Sequence, residues 1–179
     1  RHLLDLIEKN TVDIAIMNIS ANIQSNFKTE FITHEKIMLV ASKKNPMTKK
    51  LKELEAKGRA IDLSTLENEC FILMKHGMSC ADCIYNYLEN MQFSPQKRII
   101  TSSKATACNL VAQNMGFSFI PESGIQWSAG IKDMEFFDLH SNDLVVPLAA
   151  LYNKNTYLSS IARKFIDATK EYYSKKREP

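Results

Sequence analysis

The chain has 179 residues, 45% of them apolar and 24% charged, with a formal net charge of +3 at pH 7. That balance supports a packed core, in one domain or two small lobes, and excludes a disordered chain. The small, evenly spread charge gives no argument of its own for nucleic acid or a membrane as partner, and no apolar run approaches the about 20 residues of a membrane-spanning helix. In chain order, residues 1–10 read as an amphipathic helix with Leu3, Leu4 and Ile7 on one stripe, unlike the continuous apolar run of a secretory signal. No capping residue or strand precedes this helix, so the chain reads as a fragment. Residues 11–17 (TVDIAIM) read as a buried strand, closed by a mostly polar loop over 18–26.

Residues 31–42 (FITHEKIMLVAS) are expected to be extended, with 37–41 as the buried part. Asn45-Pro46 marks a turn, because the residue before proline is pushed out of the helical region. The lysines between Lys43 and Arg59 form a local basic excess, read as a solvated surface against the sharper alternative of an anion patch. Residues 70–74 (CFILM) are a buried strand running into His76-Gly77-Met78-Ser79. From Cys80 the period turns helical, through Cys83, Ile84, Tyr87, Leu88 and Met91, with Ser79 as N-cap. Residues 98–101 form a short strand, Ser102 and Ser103 the corner after it, and 104–113 a helix.

Residues 110–121 (LVAQNMGFSFIP) describe a helix that halts at Asn114 to Gly116, where the left-handed conformation is accessible, and turns at once into a core strand. An irregular stretch around Trp127 follows. Residues 144–152 form a strand whose Pro147 points to an edge or a bulge. The last helix carries Leu158, Ile161, Ala162, Phe165 and Ile166 on its packing face. Strands and helices alternate, which implies an α/β fold with a largely parallel sheet or two such sheets.

Five stretches, VDIAIMN, EKIMLVASKKNPM, GMSCADCIYNYLENMQFSP, LVAQNMGFSFIPESG and LSSIARKFID, in this order and spacing resemble the effector-binding domain of LysR-type transcriptional regulators over nearly the whole chain. The resemblance implies two Rossmann-like lobes of the type II periplasmic-binding-protein kind, joined by two crossover strands, with a small effector held between them. Lobe I would be residues 1–34 plus 140–179 and lobe II residues 35–139. The first β-α-β of lobe I, the linker helix and the winged helix-turn-helix of the family are missing from the chain. The implied partners are an anionic small molecule, a second copy in a homodimer or homotetramer, and DNA only through the absent domain, all in the cytoplasm and with no membrane.

Ligands of α/β sheets sit beyond the carboxyl ends of strands and at helix N-termini, where unpaired N–H groups and the helix dipole favour an anion. That rule selects Met78, Ser79 and Cys80 after the CFILM strand and Ser102 and Ser103 at the matching corner, and the resemblance implies Asn18, which follows the VDIAIM strand where some relatives have a polar or basic side chain that reaches the effector. Phe119 is added to them as a candidate ligand contact. Each has a plainer reading: Ser79 and Ser103 as helix caps, Asn18 as a turn former, Phe119 as core, His76 as an exposed loop residue. Ala81 stands where many relatives have arginine, which weakens the case for a bidentate carboxylate clamp there.

Cys80 and Cys83 at a helix start form the arrangement that lowers a thiol pKa. Three readings stay open: packed or pocket-lining thiols, a redox sensor, and a metal pair with His76 that lacks a convincing fourth ligand. A solute-binding protein of a transporter shares the two-lobed fold and is the other alternative. No phosphate loop, nucleophile elbow or His-Glu-x-x-His helix is present, and Asp133 with Glu135 sits in a surface-like stretch, so neither a catalytic residue nor a cofactor is expected. No recognition-helix module or concentrated basic face argues for direct DNA contact.

Overall fold

The computed structural model describes residues 2–19, 26–78, 80–125 and 130–175. The chain divides into two compact units, Arg1–Glu35 with Val146–Pro179 and Lys36–Val145, so it passes from one to the other twice.

The first unit contains α1 (His2–Glu8), β1 (Ala15–Asn18) and the first half of β2 (Phe27–Ser42). Its strands run in the order β1, then the later strand over Val145–Asn153, then β2, and β1 pairs antiparallel with Val145–Asn153. The expected strand over 11–17 therefore starts four residues late. The amides of Thr11 and Val12 bond back to the Leu6 carbonyl, with Asn10 left-handed at φ 52°, so these residues close α1 instead of extending. On one face of the sheet Ala15, Ala149 and Leu151 pack with Ile7 of α1; on the other Ala150 and Tyr152 pack with Ile166 of the last helix. Side chains alternating along each strand produce the two faces.

The second unit follows β2 with α2 (Pro46–Ala56), β3 (Cys70–Met74), α3 (Ala81–Asn90), β4 (Lys97–Thr101), α4 (Lys104–Ala112), β5 (Phe117–Pro121), the single turn α5 (Glu122–Ile125) and β6 (Met134–Phe137). The chain then returns through β7 (Val145–Asn153) to α6 (Ser160–Lys175). The Asn45-Pro46 turn is the start of α2: the Asn45 side chain accepts from Met47 N at 2.8 Å, and Pro46 opens the helix. Strand β3 lies between β4 and β5 and pairs parallel with both, while β2 pairs antiparallel with β5 and β6. The sheet is thus mixed, not largely parallel. The α/β class stands, but β2 runs against β5 and β6, and β7 runs against β1.

Side-chain alternation sends Phe71, Phe117 and Phe119 to the α3 face and Ile72 and Ile120 to the α4 face, where they meet Val111 and Ala107. Ser118 is also buried, and its hydroxyl donates to the Ile72 carbonyl at 2.7 Å. Helix α4 ends as the sequence predicts, with Asn114 left-handed at φ 60°. Gly116 has a different reason to be glycine: a Cβ there would sit 2.4 Å from the Cys70 carbonyl oxygen. Its absence lets β5 enter the sheet against β3.

Two more expectations change. Pro147 lies in a strand flanked by β1 and β2, not on an edge, and its carbonyl accepts from Ile19 N at 2.9 Å. Helix α6 buries only Ala162 and Ile166 of the anticipated face, with Ile161 79% and Phe165 56% exposed. The residues four apart contact the sheet, and the neighbouring stripe does not.

Candidate functional site

In the second unit, the register Met74↔Thr101 brings β3 and β4 to a common carboxyl end, and Lys75 N continues the ladder to the Thr101 carbonyl at 2.9 Å. Each strand then opens a helix. The corner after β3 holds Met78 and Cys80, and the corner after β4 holds Ser102 and Ser103. Parallel pairing thus brings together four residues chosen from sequence. Ser79, the fifth, lies outside the described residues, as does Trp127.

The two corners are not equivalent. Ser103 caps α4, its Oγ accepting from Thr106 N at 3.2 Å while its own N donates to Thr101 Oγ1 at 3.1 Å. Ser102 beside it is exposed. At α3 the N-cap is Cys80, left-handed at φ 64° and without a side-chain cap bond. Asp82 in the first turn accepts from Gly77 N at 3.2 Å, and His76 Nδ1 lies 3.2 Å from the same oxygen. A carboxylate of the chain itself therefore stands at the α3 N-terminus, where the dipole favours negative charge. An incoming anion meets repulsion there and none from a matching group at α4.

Cys83 departs from the chemistry of a reactive pair. Burial first, then the neighbouring Cys80 and Asp143, push its thiol up to about 11, and its Sγ donates to the Asp143 carbonyl at 2.8 Å. Desolvation outweighs the helix start, so Cys83 stays a thiol near neutral pH. Among the described residues no disulfide is formed. Among the described residues no group of three or more His, Cys, Asp or Glu side chains is placed to hold a metal ion. Phe119 is 3% exposed and packs on Phe71 and Tyr87, a core position that faces no open corner. Glu135 is bound at 3.1 Å by Lys52 and lies 3.8 Å from Lys43, which ties part of the basic stretch to its own surface.

In the first unit, Asn18 ends β1 and donates through Nδ2 to Glu35 Oε2 at 2.6 Å. Glu35 is 3% exposed, and its other oxygen is buried without a hydrogen-bond partner among the described residues. Sequence reading passed over Glu35. The signal was there: Thr33, Glu35, Ile37 and Leu39 alternate as the buried side of β2, so period two places a carboxylate inward. Glu30 was also missed. Lys170, Arg163 and Tyr152 converge on it at 2.8, 2.6 and 2.8 Å. The Lys170 bond, opposed by burial and aided by Arg163 and Tyr152, holds its carboxyl at about 2.

Comparison with known proteins adds a family and a set of folds. The sequence matches the LysR substrate binding domain over residues 1–174. No match was found among curated protein sequences. The structure is similar to the BenM effector binding domain with its effector benzoate, at 17% identity and TM-score 0.76, covering 99% of this chain and 78% of that one. It is similar to the effector binding domain of QuiR in complex with shikimate, at 17% identity and TM-score 0.73, covering 98% and 78%. The Synechocystis PCC6803 CcmR regulatory domain in complex with 2-PG matches at 14% identity and TM-score 0.74, covering 96% and 78%.

Proposed function

Because the chain belongs to the LysR substrate-binding-domain family, we propose that it is the ligand-sensing part of a transcriptional regulator and takes a small anionic effector at the β4–α4 corner. The observation that carries this reading is the side-by-side placement of the β3 and β4 corners at one carboxyl end, with the acidic Asp82 at one and the exposed Ser102 at the other. Ser102 would donate to the effector, Ser103 would hold the helix that presents it, and Met78, Ser79 and Cys80 would form the adjoining rim. Benzoate, shikimate and 2-PG in the similar domains support an anionic ligand. Asn18 is a separate contact proposed in the first unit, oriented by Glu35.

The protein is proposed to act in the cytoplasm as a homo-oligomer and not as an enzyme, with DNA contact made by another part of the regulator. Effector affinity that differs between two oligomer geometries would shift their populations. Among the described residues no helix is long and apolar enough to cross a membrane. Titration calorimetry with benzoate, shikimate and 2-PG tests the site. At least one is expected to bind, and Ser102→Ala to weaken it about tenfold, the cost of losing one hydrogen bond to a charged group. No binding by any of the three, or an unchanged Kd in Ser102→Ala, removes the β4–α4 corner from consideration.

A further inference from the structure

A second recess lies in the second unit along the flank of α3, away from Ser102 and Ser103. Leu73 and Leu88 form its buried floor, Phe93 and Tyr85 line its sides, and Arg98 reaches it from β4. Its volume of about 420 Å³ falls within the roughly 300–1,000 Å³ of small-molecule sites.

Its origin is in the register of the sheet. Arg98 pairs with Phe71 and Ile100 with Leu73, so all four side chains point to the α3 face. Helix α3 covers the β3 residues, leaving Phe71 0% and Leu73 2% exposed, but not the outer strand, where Ile100 is 52% exposed and Arg98 is also exposed. Along β4 a groove remains. The His76 ring stacks on Tyr85 with centroids 3.8 Å apart and planes 17° from parallel, which makes one wall flat and aromatic. Tyr85 and Arg98 both line the recess, and burial, with Asp82 adding to it, pushes the Tyr85 phenol up against the opposing Arg98 charge. Among the described residues Arg98 has no ion pair or hydrogen-bond partner, although one acidic side chain, Glu89, lines the same recess.

We propose that this α3–β4 groove is a binding site for a small monocarboxylate with an apolar body. The argument is one of satisfaction. A wholly apolar ligand would cover the guanidinium and the phenol without pairing either, which is costly. A carboxylate matches the planar fork of Arg98 through two parallel hydrogen bonds, while its body lies on Leu73, Leu88, Phe93 and the Tyr85 face. Glu89 also lines the groove, from α3, and sets the charge limit: a second carboxylate would meet it, so a dianion is disfavoured.

The site is independent of the β4–α4 corner, and the experiment separates the two. Benzoate, phenylacetate and 4-methylpentanoate are titrated into isotopically labelled protein, with benzamide as the neutral control and phthalate as the dianion. At least one monocarboxylate is expected to shift the amides of residues 85–98 saturably, with benzamide and phthalate about tenfold weaker or silent. Arg98→Gln, at an exposed position that leaves the core intact, is expected to raise that Kd about tenfold, and Ser102→Ala to leave it unchanged. The proposal is overturned if none of the three monocarboxylates shifts residues 85–98, if Arg98→Gln binds as the parent does, or if the shifts fall only on residues 101–106. The last result would support the effector corner while removing this groove.

Discussion

The two units hold their helices against their sheets by different means. In the second, the sheet presents to α3 a layer of rings, Phe71 stacked on Phe117 and Phe119 with centroids 5.8 and 6.2 Å apart, and Tyr87 of α3 meets Phe119 edge-on. In the first, α6 buries only Ala162 and Ile166, and the Glu30 cluster with Lys170, Arg163 and Tyr152 adds a polar clamp from β2. Apolar closure is insensitive to pH and salt, whereas a half-exposed ion cluster responds to both. The candidate corners stand on the apolar unit, which suits a site that must keep its geometry.

The contrast can be broken most strongly at Phe71. Phe71→Ala empties the centre of a ring stack and is expected to cost about 3–5 kcal/mol, read as a lowered urea midpoint by circular dichroism. A loss under about 1 kcal/mol would mean the stack is not what closes this unit.

Gly116→Ala comes next. Its Cβ would meet the Cys70 carbonyl oxygen at 2.4 Å, so β5 must shift away from β3 at a cost on the order of 1–3 kcal/mol. Hydrogen exchange at β3 and β5 amides should accelerate first, and unchanged protection there would contradict the close approach.

The smallest expected effect sharpens the other side. Glu30→Gln should cost about 1 kcal/mol or less near neutral pH, and its main signature is pH dependence. The Glu30 carboxyl is held at about 2 against its ordinary 4.5. Its stabilisation is therefore full above about pH 4.5 and lost as pH falls toward 2, because the unfolded chain takes up the proton first. Thermal midpoints measured across that window should fall more steeply in the parent than in Glu30→Gln. Parallel curves would show that the cluster does not fasten α6.

Local chemistry was legible wherever one residue acts on its neighbours. Asn114 stopping α4 and Ser103 capping it follow from backbone preferences that need no partner, whereas Asn45-Pro46 was legible only as a turn and not as the start of α2. The α/β class and most strands follow from period and β-branched composition, but β6 (Met134–Phe137) falls in the stretch that reads as irregular. The α3 cap expected at Ser79 falls on Cys80 instead, and the face of α6 was read too wide, since a helical stripe shows which residues are apolar and not which of them meet a sheet.

By itself, then, the sequence determined the family, the α/β alternation and the two strand-to-helix corners, because these are written in short-range pattern. Only the tertiary structure decided that Asp82 occupies the α3 corner while Ser102 at the α4 corner stays exposed, that Cys83 is a buried thiol, and that Glu35 is an inward carboxylate. It alone exposed Arg98 beside an apolar groove. Each of these depends on what register and burial bring near a side chain, and desolvation and charge pairing act through space, where chain order carries no information about distance.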